Sequence, residues 1–252
     1  MALTRIKDMS HQWFNACLSQ LSCCDLCGAN LGKIALANQV FKQSLVCQHC
    51  IDDLPLFDQK IIQGDLLSWP AINRELPNIH FDHLFSLMPY ISPVDFWLKQ
   101  FKYQGRFELA SLFSTLLANQ LIEYCPTLTN RLDVVLSVPL HISKWQARGY
   151  NQAHLIAIKL AKIVELPYLP SVLIRSNKNS SQVGQTGKQR RKNLTDAFAL
   201  TAALPHDCRH VLLVDDVVTT GSTVSEISKL LKNVGINKVT VATVCLSLPT
   251  SS

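Results

Sequence analysis

Apolar residues in the second half of the chain recur at the spacings of alternating strands and helices. Helical spacing of about 3.6 residues occurs over residues 107–124, 151–164 and 223–234. Short apolar runs typical of strands occur at residues 133–140, 171–175, 197–200, 210–216 and 238–246. The run at 210–216 contains four consecutive apolar residues, Val211 to Val214, as in a strand that a parallel sheet buries on both faces, and the run at 238–246 indicates another buried strand. The pattern predicts an α/β fold, mainly a parallel sheet with helices on both faces.

The helix that follows the strand at 210–216 has its own start and stop signals. Thr223 and Glu226 have the spacing of a capping box, in which each side chain bonds the backbone N–H of the other residue. Gly235 suits the residue that ends a helix, because it adopts a left-handed backbone without strain. We therefore expect a helix from Thr223 to about residue 234.

The first 95 residues lack this regular alternation. Residues 1–55 show little apolar periodicity, and residues 56–95 contain four prolines that interrupt long helices. We expect a small module at residues 1–55, a linker and irregular cap at 56–95, and the α/β domain at 96–252.

Two cysteine pairs near the N-terminus indicate a structural metal site. Cys24 and Cys27 form one CxxC pair, Cys47 and Cys50 form another, and nineteen residues separate the pairs. Four thiolates complete the tetrahedral shell that zinc prefers, and Gly28 permits the tight turn after the first pair. The alternative is two chance pairs or a redox motif. A closed shell of four ligands leaves no position for chemistry, so we expect Zn²⁺ with a structural role.

The composition is that of a folded protein with a mild positive charge. With 48% hydrophobic and 17% charged residues the chain can bury a core, which excludes wholesale disorder. No apolar run approaches the roughly 18 residues that would span a bilayer, and the N-terminus lacks the apolar stretch of a secretory signal. We therefore expect a cytoplasmic protein without membrane insertion. Residues 175–193 carry six positive charges and no acid, which suits either an anionic ligand or solubility alone.

The candidate chemistry lies at the end of the strand at 210–216. Asp215 and Asp216 end that strand, and a loop of hydroxyl residues around a glycine leads from it into the next helix. The loop residues are Thr219, Thr220, Gly221, Ser222 and Thr223. Loop N–H groups, hydroxyls and the helix dipole attract a phosphate, and the acids accept hydrogen bonds from sugar hydroxyls. The segment predicts a site for a ribose phosphate; the alternative is an Asp pair that only caps a helix.

This segment resembles the phosphoribosyl pyrophosphate (PRPP) signature of type I phosphoribosyltransferases. Four further segments narrow the resemblance to the ComF family, a group associated with natural competence and DNA uptake. They are the two CxxC pairs, Phe101–Gly105 (FKYQG), Ser137–Gln152 (SVPLH…RGYNQ) and the stretch from Arg175 to Phe198. The resemblance covers nearly the whole chain. It implies a type I phosphoribosyltransferase-like domain preceded by a zinc ribbon.

The resemblance also implies roles for individual residues. Asp215 and Asp216 would hold the ribose hydroxyls, and residues 219–223 would hold the 5-phosphate. Val138, Pro139 and Leu140 match the pyrophosphate loop, which Lys144 and Arg148 could reach. Lys188 and Arg190 lie where the family fold has a flexible catalytic lid, and Mg²⁺ would bridge the pyrophosphate oxygens.

Two functions are compatible with these residues. The first is an enzyme that transfers ribose 5-phosphate from PRPP to a nitrogenous base and releases pyrophosphate. The second is a non-catalytic PRPP sensor that binds single-stranded DNA or a DNA-uptake protein through the zinc module and the basic segment.

Overall fold

The computed structural model describes residues 23–31, 45–76, 78–175 and 197–247, and the chain divides after Pro55 into two compact units. The described strands are β1 (His83–Pro89), β2 (Val134–Ser137), β3 (Leu173–Arg175), β4 (Phe198–Leu200), β5 (His210–Val218) and β6 (Lys238–Leu246). The described helices are α1 (Gln48–Asp52), α2 (Pro70–Glu75), α3 (Val94–Tyr103), α4 (Leu109–Tyr124), α5 (Pro126–Thr129), α6 (Ile142–Arg148), α7 (Gln152–Ile163) and α8 (Ser222–Asn233). A short 3₁₀ helix spans Leu66–Ser68.

Four parallel strands form the main sheet in the order β1-β6-β5-β2. The inner strand β6 is buried at every position after Lys238, because a central strand of this fold is covered on both faces. Strands β3 and β4 form a separate antiparallel pair. Since all four main strands run the same way, their carboxyl ends lie at one edge of the sheet.

Helices cover both faces of the main sheet. On one face, Leu136, Leu213 and Val241 from adjacent strands join a buried cluster with Val224 and Ile227 of α8. Alternate residues of a strand point to opposite faces, so Leu212 and Val214 belong to the other face. Helix α7 packs there against β2 and β5, and α4 packs against α7 and the sheet. The expected parallel sheet with helices on both faces is confirmed.

The predicted helices and strands of the second half are also present. The strand expected at 238–246 is β6 with the same bounds, and the helices expected at 107–124 and 151–164 are α4 and α7, slightly shortened. The predicted capping box is wrong: α8 begins at Ser222, one residue before Thr223, and its N-cap is Gly221. A glycine N-cap leaves the first turn of this helix without a side-chain acceptor from that residue.

Residues 56–95 differ from the expected linker and cap. They lie in the same unit as the α/β domain and contribute β1, an edge strand of the main sheet, and α2. The prolines mark where elements begin and end: Pro70 is the first residue of α2 and Pro89 the last of β1. Both positions tolerate a residue that cannot donate a backbone hydrogen bond. Within the described parts of the chain, no helix combines the length and apolar character needed to cross a membrane.

Candidate functional site

Four cysteines of the first unit converge on one point. The Sγ atoms of Cys24, Cys27, Cys47 and Cys50 all lie within 4.8 Å of one another, and those of Cys27 and Cys47 are 3.7 Å apart. Tetrahedral zinc with Zn–S bonds of about 2.3 Å requires sulfur atoms about 3.8 Å apart. The cluster therefore fits the predicted zinc, which would supply structural cross-linking and no chemistry.

Backbone groups shape the first CxxC turn and lower the pKa of one of its thiols. Gly28 has a φ of +72° and its N–H donates to the carbonyl oxygen of Cys24, which closes the first knuckle. The N–H of Cys47 donates to the Sγ of Cys24 at 3.3 Å. Burial acts to raise the pKa of Cys24, but nearby backbone N–H groups outweigh it and lower the pKa to about 6. The exposed Cys23 lies outside the cluster and forms a β-bridge with Asn30.

In the second unit, β5 carries the acid pair to the carboxyl edge of the sheet. Asp215 and Asp216 are both half-buried, and β5 extends beyond them to Val218, which pairs with Leu246 of β6. The strand is two residues longer than the sequence predicts, since the neighbouring β6 continues the ladder. The pairing of Asp215 with Thr243 and of Val217 with Cys245 fixes the backbone on both sides of Asp216.

The loop after β5 presents exposed hydroxyl groups and a glycine in a left-handed conformation. Thr219 and Thr220 are exposed, and the Thr220 and Ser222 hydroxyl oxygens lie 2.9 Å apart. Gly221 has a φ of +67°, and a Cβ at this position would lie 3.2 Å from Leu76 Cδ2. Glycine is therefore favoured by this backbone conformation, and an added Cβ would also press on the Leu76 side chain. Helix α8 starts immediately after this glycine, so its positive end faces this loop.

A lysine that the sequence analysis did not assign to the site contacts the acid pair. Lys102 Nζ lies 2.7 Å from Asp216 Oδ2, and the two side chains are only 20% and 14% exposed. Lys102 is the penultimate residue of α3 and belongs to the FKYQG segment. Its place inside that segment is the signal in the sequence that could have found it.

Charge and burial shape the protonation of this cluster. Burial acts to lower the pKa of Lys102, but the Asp216 and Asp215 carboxylates outweigh it and raise the pKa above the ordinary value. Burial and the adjacent Asp216 charge raise the pKa of Asp215 well above its usual range. The charged forms of Lys102 and Asp216 therefore favour each other, whereas Asp215 releases its proton less readily than a free aspartate does.

The FKYQG and RGYNQ segments pack against each other beside the acid pair. The Arg148 guanidinium lies 4.9 Å from the ring centre of Tyr103 and donates to its hydroxyl at 3.1 Å. The Tyr150 ring meets Phe107 edge-on at 4.6 Å, and the Tyr150 hydroxyl donates to the carbonyl oxygen of Phe101. Two segments that are far apart in sequence thus form one contact surface that holds α3 in place.

The loop after β2 lies beside β5. The Val138 N–H donates to the carbonyl oxygen of Val214, the residue before Asp215, and Asn151 donates to the carbonyl oxygen of Val138. Pro139 and Leu140 are half-buried, whereas Lys144 is exposed on α6. His141 is the N-cap of α6 and Asn151 the N-cap of α7.

An open cavity of about 410 Å³ adjoins this loop. Its wall includes Pro139, Trp145, Tyr150 and His154. The Tyr168 hydroxyl connects two residues of that wall, at 2.9 Å from Ser137 Oγ and 2.6 Å from His154 Nδ1. The cavity thus combines aromatic walls with a hydrogen-bonded polar edge.

Some of the expected site residues lie close together in the structure, and others lie outside the described residues. Asp215, Asp216 and Arg148 lie near Lys102, and the charges of all three contribute to the shift of its pKa. Lys188 and Arg190 lie outside the described residues. The strands on either side of that segment, β3 and β4, pair with each other, and Arg175 at the end of β3 lies 5.3 Å from the ring centre of Phe198.

The chain is similar in sequence to several known proteins. Residues 147–249 match the phosphoribosyl transferase domain family. Competence protein F of Haemophilus influenzae is 34% identical over 200 residues, which is 77% of this chain and 82% of that protein. DNA utilization protein YhgH of Escherichia coli O157:H7 is 34% identical over 169 residues, or 67% and 74% of the two chains. Competence protein ComFC of Bacillus subtilis is 25% identical over 139 residues, or 55% and 53%.

Proposed function

We propose that this chain, which belongs to the ComF family of proteins with a phosphoribosyltransferase-like domain, binds PRPP at the carboxyl ends of β5 and β2. The observation that carries the proposal is the acid pair on β5 running directly into an exposed hydroxyl loop with a glycine N-cap. Asp215 and Asp216 accept hydrogen bonds from the ribose 2- and 3-hydroxyls. Residues 219–223 surround the 5-phosphate with hydroxyls and the positive end of α8.

The pyrophosphate of PRPP lies in this proposal along the loop after β2. Val138, Pro139 and Leu140 form that loop, while Arg148 and the exposed Lys144 supply positive charge. Carboxylate and phosphate oxygens are the ligands that Mg²⁺ prefers, so the acid-rich strand end suits a magnesium complex of PRPP. The metal would neutralise charge on the departing pyrophosphate. Lys188 and Arg190 would cover the site and stabilise the same charge.

The reaction that such a site supports is pentosyl transfer. The bond between ribose C1 and the pyrophosphate oxygen breaks with its electron pair leaving on pyrophosphate, and a ring nitrogen of a base forms the new bond to C1. The ring nitrogen of the base loses its proton to the departing pyrophosphate or to water. The cavity beside the loop after β2 is large enough for a nucleobase, which supports an acceptor there.

A pyrophosphate-release assay tests this activity. Purified protein is incubated with Mg²⁺, PRPP and a panel of bases, and the Asp215→Asn/Asp216→Asn variant serves as the matched control. We expect release by the wild type that depends on one class of base and is lost in the double variant. Release at the same rate from both proteins, or from neither, would reject turnover at this site.

A second candidate function is a PRPP-binding accessory factor in DNA uptake, without turnover. The cysteine unit favours it, because base transfer itself needs no closed four-cysteine site. The relatives' names, competence protein and DNA utilization protein, point the same way. Fluorescence anisotropy with labelled single-stranded DNA tests it, since contacts to phosphates weaken steeply with salt. Absent or salt-independent binding would speak against direct DNA contact.

The cysteines also support a cytoplasmic location. Cys125, Cys208 and Cys245 are buried free thiols, and a zinc-binding thiolate cluster persists where thiols stay reduced. Immunodetection of the tagged full-length chain after cell fractionation tests this location.

A further inference from the structure

The Lys102 ammonium group lies where a metal cation bound to the Asp216 carboxylate would lie. Its nitrogen lies 2.7 Å from Asp216 Oδ2, at the strand end where the sugar hydroxyls and the metal-bound pyrophosphate of PRPP would arrive. A divalent ion that binds a carboxylate oxygen needs a distance of about 2.1 Å to that oxygen. An ammonium group and a divalent cation cannot both occupy this side of one carboxylate, because they repel each other and compete for the same oxygen.

We infer that Lys102 is the resident counter-ion of Asp216, which keeps free divalent cations off this carboxylate and is displaced only when PRPP arrives with its own metal ion. The inference rests on the proposed function and adds a residue that neither the motif analysis nor the family match assigns to the site.

The surroundings of Lys102 explain why it would hold this position in the unliganded protein. The lysine lies near the end of α3, whose Trp97 and Phe101 are buried in the core. The contact of the Tyr150 hydroxyl with the Phe101 carbonyl anchors the same turn of helix. The helix is therefore fixed, and it delivers the ammonium to the acid pair. Without that charge, the half-buried Asp216 carboxylate would lose its ion-pair partner at 2.7 Å.

The same surroundings explain how Lys102 could leave. The ammonium group is carried on a flexible four-carbon side chain, so it can move to another partner while α3 stays in place. Arg148 is close enough to influence Lys102 electrostatically, and it contacts the adjacent Tyr103. An arriving pyrophosphate would therefore meet two positive groups. The ammonium would exchange a carboxylate for a phosphate oxygen, so that no buried charge is left without a partner.

Electron paramagnetic resonance with Mn²⁺, in the absence of PRPP, tests the inference on the full-length zinc-loaded protein. We expect Lys102→Met to bind Mn²⁺ at least about tenfold more tightly than the wild type, because one positive charge leaves the carboxylate. The added Asp216→Asn substitution should abolish the gain. Should the apolar side chain prevent folding, Lys102→Gln provides a polar replacement of similar reach.

Lys99→Met is the matched control. Lys99 lies on the same helix and forms an ion pair of 3.0 Å with Asp95, but it is 58% exposed and outside the acid pair. It should bind Mn²⁺ as the wild type does. Equal Mn²⁺ affinity in the wild type and the folded Lys102 variant would overturn the inference, as would an equal gain in Lys99→Met.

Calorimetry with Mn²⁺ and PRPP together separates this inference from the proposed function. We expect Lys102→Met to bind the metal–PRPP complex more weakly than the wild type, although it binds the metal alone more tightly. Opposite changes for the two ligands cannot arise from a merely structural role. If the wild type does not bind PRPP at all, the proposed function fails, whereas the metal-only comparison still decides the role of Lys102.

Discussion

Arg148 stacks on Tyr103, with 4.9 Å between its guanidinium carbon and the ring centre, and thereby joins two motifs 45 residues apart. Tyr103 is 70% exposed, so packing does not explain its position. The ring holds the guanidinium beside the acid pair through a cation–π contact and a hydrogen bond. Arg148 is therefore oriented before any anionic ligand binds.

Removing this ring should affect ligand binding more than stability. For Tyr103→Leu we expect the free energy of unfolding to fall by less than about 1 kcal/mol, because the side chain is exposed. The affinity for PRPP should fall several-fold, because Arg148 loses its support. Urea unfolding and calorimetry measure the two quantities. Phe96→Leu, also exposed on α3, should change neither, and a large loss of stability in Tyr103→Leu would contradict this account.

The loop after β5 should not tolerate a side chain at its glycine. Gly221→Ala forces an alanine to a φ of +67° and places its Cβ 3.2 Å from Leu76 Cδ2, so we expect a loss of about 1–3 kcal/mol in unfolding free energy. Gly105→Ala is a close control, because Gly105 has the same φ while its nearest contact would be at 3.6 Å. It should cost less. Equal losses in urea unfolding would mean that the close approach to Leu76 is unimportant.

Zinc should hold the first unit together. In Cys27→Ser we expect loss of bound metal, measured by elemental analysis, and loss of the folded signal of the first unit, because binding and folding of such a site are linked. Cys23→Ser should keep its metal, since Cys23 is outside the cluster. Full metal content in Cys27→Ser would contradict the four-cysteine assignment.

Acid should destabilise the second unit through His210. Burial is the main reason that its pKa falls from 6.5 to about 4, with the nearby positive groups His83 and Lys238 adding to the effect. The folded state therefore holds His210 neutral, and the stability that this provides above the unfolded pKa is lost as pH falls toward about 4. Between about pH 7 and pH 5 we expect a loss of about 2 kcal/mol from this residue.

The comparison that isolates this effect is with His210→Gln. Other groups also titrate over this range, so the measured quantity is the difference between the two proteins in urea unfolding, followed by tryptophan fluorescence, to which the buried Trp97 contributes. The wild type should lose more stability than the variant on acidification. Parallel pH profiles would show that His210 is not responsible.

The sequence predicted those parts of the fold whose pattern is local. Strand β6 and helix α7 are specified by continuous or periodic apolar residues, and Cys24 and Cys47 by a spacing that has one dominant use. Strand β1 was missed because its seven residues lie among prolines, which local analysis interprets as breaks. Pairing with β6 along an edge of the sheet gives this segment its strand conformation, and each β6 partner lies 157 residues later in the chain.

The candidate site was predictable only where one segment carried its chemistry. Asp215, Asp216 and the loop that follows lie together in the chain, whereas Lys102 reaches them from a helix more than 100 residues earlier. Apart from its membership of the FKYQG segment, this lysine has no local feature that distinguishes it from a solvated one. Its role depends on how α3 packs against Tyr150, which is a property of the tertiary structure.

Binding of PRPP is the central claim, and a calorimetric titration of PRPP with Mg²⁺ into the wild type and into Asp216→Asn tests it most directly. We expect saturable binding by the wild type and at least a tenfold weaker affinity in Asp216→Asn, about 1.4 kcal/mol, because the amide keeps the shape but not the charge of the acceptor. Asp95→Asn, a carboxylate on α3 paired with Lys99, should bind PRPP as the wild type does. No heat of binding in the wild type, or equal affinity in Asp216→Asn, would contradict the account.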